Sequence, residues 1–130
     1  MKKKWVFLII ICIGFIIIQS MIPEPRSYRE SAWFTKNIVN PIMAYFHITL
    51  DKDFIRKTAH VFEYFVLTLV VFLYWKKTVK TFYAGFTLAF LDETLQIFTG
   101  RGTLVSDIWI DLIGVVIGIG LGKAILERKK

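Results

Sequence analysis

The sequence is poor in the residues that most soluble chemistry depends on. It contains one cysteine and two histidines, and its 10 acidic residues are outnumbered by 17 basic ones. Cys12 therefore forms no intrachain disulfide, and its position inside an apolar block gives no information on compartment. The histidines, His47 and His60, are too far apart for a paired-histidine metal motif. Imidazole and carboxylate donors from His60, Glu63, Glu93 and Asp107 suit a divalent ion, but no spacing supports that set. No metal or other cofactor is expected. No serine or cysteine lies in a recognisable nucleophile motif. No small-x-small cleavage site follows the first apolar block, which runs on through Gln19-Ser20-Met21-Ile22-Pro23, so an uncleaved first span is expected. Four blocks without an internal repeat are also few for a transport protein.

What the chain does have is apolar length. Of its 130 residues, 55% are hydrophobic and 16% aromatic, above the composition of a soluble domain. The excess falls into four blocks of bilayer-crossing length, about 5–22, 54–75, 79–98 and 104–124. The expected fold is all-α, an integral membrane bundle of four transmembrane helices forming one domain over 1–130. Between the first two blocks, Trp33, Phe34, Ile38, Ile42, Tyr45 and Phe46 recur at helical spacing. They suggest an interfacial helix interrupted by Pro41, or else a partly ordered loop with aromatic anchors.

The net charge of +7 is gathered at block ends and in loops, as orientation in a membrane requires, and nucleic-acid binding is not expected. With the N-terminus inside, 10 of the 17 basic residues fall on the cytoplasmic side. The short elements agree with that assignment: Lys2-Lys3-Lys4, the turn at Lys76, Lys77 and Lys80, and the tail. Both termini are therefore expected to be cytoplasmic.

This topology brings polar residues from three stretches to one level. Arg56, Lys57, His60, Glu63 and Tyr64 open the second block. Asp92, Glu93 and Gln96 close the third, and Asp107 and Asp111 open the fourth. At 1.5 Å per residue, all lie within roughly 15 Å of the outer boundary. Ionisable groups at that depth are costly and mark a functional site. On the fourth block Asp107, Asp111, Gly114, Gly118 and Gly122 form one stripe, suited to close approach by a neighbouring helix or by a second copy of the chain. A stripe of Gly85, Ala89, Asp92 and Gln96 on the third makes Asp92, rather than Glu93, the inward carboxylate.

Lys57-x-x-His60-x-x-Glu63-Tyr64, Asp92-Glu93-x-x-Gln96-x-x-x-x-Arg101 and Asp107-x-x-x-Asp111-x-x-Gly114 resemble, in order, the motifs of the VanZ-like membrane proteins. The resemblance spans residues 54–122. It carries over His60, Glu63 and Tyr64 from the first motif and Glu93, Gln96, Arg101 and Asp107 from the other two. Position 111, usually Asn in the family, is Asp here. The resemblance implies a multi-pass protein of the bacterial cytoplasmic membrane, in a family whose name-giver is associated with teicoplanin resistance. It implies no defined molecular activity.

Two functions follow from the residues. One is binding or remodelling of a cell-envelope lipid or lipid-linked cell-wall intermediate at the outer leaflet. Lys57 and Arg101, with Arg56 as a third candidate, would hold its phosphate, and Tyr64, Asp92, Gln96, Asp107 and Asp111 would complete the pocket. The other is an intramembrane hydrolase or transferase in which His60, Glu63 and Glu93 provide acid and base.

Overall fold

The computed structural model describes residues 2–100 and 105–128, and every regular element among them is helical. The first helix, α1 (Lys2–Ser20), is apolar from Trp5 to Ile18 and stops three residues short of Pro23. The second, α2 (Glu24–Phe34), starts with Pro25 in its first turn, where a missing N–H costs nothing.

A π-turn follows over Thr35–Val39, closed by the Asn40 N–H reaching back five residues to the Thr35 carbonyl. This wide turn directly precedes Pro41, which has no N–H to continue an ordinary ladder. A short helix α3 (Asn40–Met43) and a 3-10 turn (Ala44–Phe46) complete the segment, which ends at His47 in the left-handed conformation. Residues 24–46 are thus helical throughout, in broken pieces. Trp33, Phe34, Ile42, Tyr45 and Phe46 are all exposed along it.

Helix α4 (Lys52–Trp75) begins at Asp51, whose carboxylate accepts the Asp53 N–H at 3.3 Å. It ends at Lys76, left-handed at φ 55°. Helix α5 (Thr78–Phe98) follows after Lys77, so the two are tightly linked neighbours. The Lys80 ammonium lies 4.3 Å over the Trp75 ring and braces this turn. The last helix is α6 (Val105–Glu127).

Among the described residues, three helical stretches are long and apolar enough to cross a membrane: Lys3–Ser20, Lys52–Trp75 and Ser106–Glu127. Helix α5 is of similar length at 21 residues, but its polar content keeps it below the same measure. The distribution of that content is inverted relative to a soluble helix. Thr81, Asp92, Glu93 and Gln96 are buried, whereas Tyr83, Phe90, Leu91, Ile97 and Phe98 are exposed. The whole bundle follows this rule, with large apolar side chains outside on every long helix.

The core is small: Ile16 from α1, Tyr64, Leu67, Val71 and Phe72 from α4, Ala89 from α5, and Val115 and Ile119 from α6. In lipid, packing rather than water exclusion holds such helices together, and small residues permit the approach. Helix α6 packs most extensively on α4. A Cβ on Gly114 would meet the Val61 carbonyl and lie 3.0 Å from the Phe65 nitrogen, and one on Gly118 would meet the Thr68 hydroxyl and the Phe65 carbonyl. The Gly114, Gly118 and Gly122 stripe, a candidate surface for a second copy, is filled by α4 of the same chain.

Candidate functional site

The helices alternate so that the C-termini of α1 and α5 and the N-termini of α4 and α6 share one end of the bundle. Two contacts fix this. The Thr99 hydroxyl, at the end of α5, donates to the Ser20 carbonyl at the end of α1 (3.1 Å). The Ser20 hydroxyl in turn donates to Asp92 Oδ1. Counting from the helix ends at 1.5 Å per residue, His60, Asp92 and Asp111 all lie on the order of 10 Å inside.

At that depth the sequence motifs meet. Asp92, Glu93 and Asp111 are all buried, and each offers an oxygen within 4.8 Å of those of the others. The expectation that Glu93 would stand aside from Asp92 is corrected, because both point into the bundle. The end of α5 packs against α1, α4 and α6, and both carboxylates are buried. Asp92 is held by Ser20 on Oδ1 and by the Gln96 amide on Oδ2 at 3.2 Å. From α4, His60 Nδ1 lies 3.8 Å from Asp111 Oδ1 and 3.9 Å from Glu63 Oε2. Tyr64, one turn below His60, is wholly buried. Its phenol lies within electrostatic range of Asp92, Asp111, Glu63 and Glu93.

The remaining predicted residues are placed differently. Asp107, one turn from Asp111, is half-buried, with the Ser106 hydroxyl 3.5 Å from its Oδ1. Lys57 is exposed and does not join the cluster. Arg101 lies outside the described residues.

A cavity of about 550 Å³ adjoins the cluster, bounded by the end of α1, by α2 and by the start of α4. His60 and Glu63 form its inner wall, Arg29, Arg56 and Glu30 supply further charge, and Trp33 and Phe34 supply aromatic surface. His60 thus faces the cavity and the buried acids at once. Helix α2 is held to α4 by Lys52, whose ammonium lies 3.8 Å from the Tyr28 ring centroid and donates to the Tyr28 hydroxyl.

Several of these residues carry no sequence signal. Ser20 reads as the end of an apolar run, and Arg29 and Glu30 read as loop charges. Only the docking of α1 and α2 on α4 and α5 gives them a place. Arg56 had some signal, as the residue one turn before His60.

Fold and site together define a helical membrane protein with a buried carboxylate cluster beside a side cavity. The chain belongs to the VanZ/LLP1 family, whose model matches residues 5–126. It is 28% identical over 135 residues to YwnJ of Bacillus subtilis (strain 168), described as an uncharacterized membrane protein, covering 97% of this chain and 90% of that one. No solved structure matches.

Proposed function

We propose that the chain is a four-span protein of the bacterial cytoplasmic membrane that takes the anionic headgroup of a cell-envelope lipid into the α1–α2–α4 cavity. The observation that carries this reading is the cavity's lining. Two arginines, Arg29 and Arg56, stand beside His60 and Glu63, and the adjoining surface of the 24–46 segment is aromatic and exposed. Arginine is matched to phosphate by its fork of donors. Exposed Trp33, Tyr45 and Phe46 suit the headgroup level of a bilayer, where their rings rest and hold the segment flat.

The four-span arrangement is supported by the inverted faces of α5, whose outer surface is as apolar as that of its neighbours. The basic ends of α1, α4 and α6 favour both termini on the cytoplasmic side, which puts the cavity at the outer leaflet. Retention of a lipid-linked cell-wall intermediate there would lower glycopeptide susceptibility, teicoplanin included.

The test is lipid co-purification with mass spectrometry on wild type and on the Arg29→Ala/Arg56→Ala double variant. Enrichment of an anionic lipid in the wild type and its loss in the double variant is the expected result. Equal lipid content in both removes the cavity from consideration.

One observation favours acid–base chemistry as a second reading. His60 sits between Glu63 and Asp111 at the inner wall of the cavity, placed to pass a proton between a bound headgroup and the buried acids. Turnover of a lipid-phosphate substrate by purified protein, abolished by Glu63→Gln, would establish it.

A further inference from the structure

The three carboxylates at the centre of the bundle come from two helices that meet side by side, Asp92 and Glu93 from α5 and Asp111 from α6. Their oxygens lie within 4.8 Å of one another. Oxygen ligands of one calcium-sized ion, at 2.3–2.6 Å from it, are at most about 4.6–5.2 Å apart. The observed spacing falls inside that limit without movement. Three acidic side chains alone do not make a site, because carboxylates also share protons.

Two further atoms point to a ligand. Asp111 is 1% exposed, and its Oδ2 has no hydrogen-bond partner among the described residues. The Tyr64 hydroxyl, on a residue with 0% exposure, likewise has none. Tyr64 packs on the α6 stripe that carries Asp111, since a Cβ on Gly114, three residues on from Asp111, would lie 3.0 Å from its own. Buried polar atoms are satisfied in the great majority of cases, and one left over calls for a reason. Two of them, one on a cluster acid of α6 and one on the α4 face packed against it, have one reason in common.

We propose that Asp92, Glu93 and Asp111, with the Tyr64 hydroxyl as a neutral fourth oxygen, bind a single hard divalent cation of the calcium or manganese type. The donor set is all oxygen, which suits calcium, magnesium and manganese over softer ions. Asp92 is already oriented by Ser20 and Gln96, the outer hydrogen bonding that fixes a ligating carboxylate in place. The cavity comes nearest the cluster at His60, whose Nδ1 lies 3.8 Å from Asp111 Oδ1. The site does not depend on the lipid reading, and it binds its ion with the cavity empty.

The experiment uses the full chain in detergent, stripped with a chelator and titrated with MnCl2 while the free-manganese electron paramagnetic resonance signal is followed. Loss of the signal should saturate at about one ion per chain. CaCl2 should displace the manganese. Asp111→Asn and Glu93→Gln should each weaken binding by at least about tenfold. Tyr64→Phe, which keeps the ring and its packing, should weaken it less than either. The wild-type titration reads the site even if a variant does not fold. No loss of the manganese signal in wild type overturns the proposal. So does binding that both carboxylate variants leave unchanged, as expected if protons alone neutralise the cluster.

Discussion

Ser20, the last residue of α1, donates its hydroxyl to Asp92 near the end of α5, across 72 positions of sequence. Both side chains are buried, at 1% and 3% exposure. With the Thr99 bond to the Ser20 carbonyl, this contact anchors the first helix to the acid cluster. Ser20→Ala should lower the thermal midpoint in detergent by an amount corresponding to about 1 kcal/mol, the usual size of an interhelical hydrogen bond in membranes. Combining it with Asp92→Asn should give less than the sum of the two single effects, since they remove the same bond.

The glycines of α6 supply an internal control for packing. Gly118→Ala places a methyl group against the Thr68 hydroxyl and the Phe65 carbonyl, whereas Gly120→Ala meets nothing within 4 Å. The first should destabilise the bundle by about 1–3 kcal/mol. The second should leave the midpoint unchanged or slightly higher. Thermal unfolding followed by intrinsic fluorescence distinguishes them.

Adjacent cations on α4 have unequal surroundings. Arg56 lines the cavity and Lys57 is exposed outside it. Arg56→Ala should reduce co-purified anionic lipid several-fold, the loss of one charge-assisted contact of about 1.5–3 kcal/mol being ample for that. Lys57→Ala should not. Quantitative lipid mass spectrometry on the two variants decides the matter, and equal losses would show an effect of net charge alone.

Orientation is open to a direct check because Cys12 is the sole cysteine. In a Cys12→Ser background, Thr49→Cys lies in the connection before α4 and Glu127→Cys at the end of α6, both exposed. A membrane-impermeant maleimide should label the first in intact cells and the second only after lysis. The reverse pattern would invert the proposed topology.

Much of the site was legible in sequence because helical spacing and alternating direction together determine depth. His60, Asp92 and Asp111 could be brought to one level with nothing more than a rise per residue. Which face each residue shows was less legible. The small-residue stripe on α5 identifies Asp92 as inward but cannot show that Glu93 is buried as well, with an oxygen within 4.8 Å of one from Asp111 on α6. Ser20 and the charges of the 24–46 segment were invisible for a related reason. Their neighbours are remote in sequence, and no local period marks a residue whose role is to meet another helix. Glycines on α6 carried the close approach plainly, but the stripe could not say whether its partner was α4 or another chain.

Helix α5 has a consequence for assembly. Among its buried polar groups, Asp92 is met by Ser20 on α1 and by Gln96 on α5 itself, and the burial of all of them depends on the neighbouring helices. Alone in a bilayer the helix would face several kcal/mol of unmet polar groups. In the four-span arrangement it therefore enters as one arm of a hairpin with α4, turned at Lys76 and Lys77, and becomes secure only once α6 follows. A nascent chain halted after α5 would be a substrate for quality control rather than a smaller version of the protein.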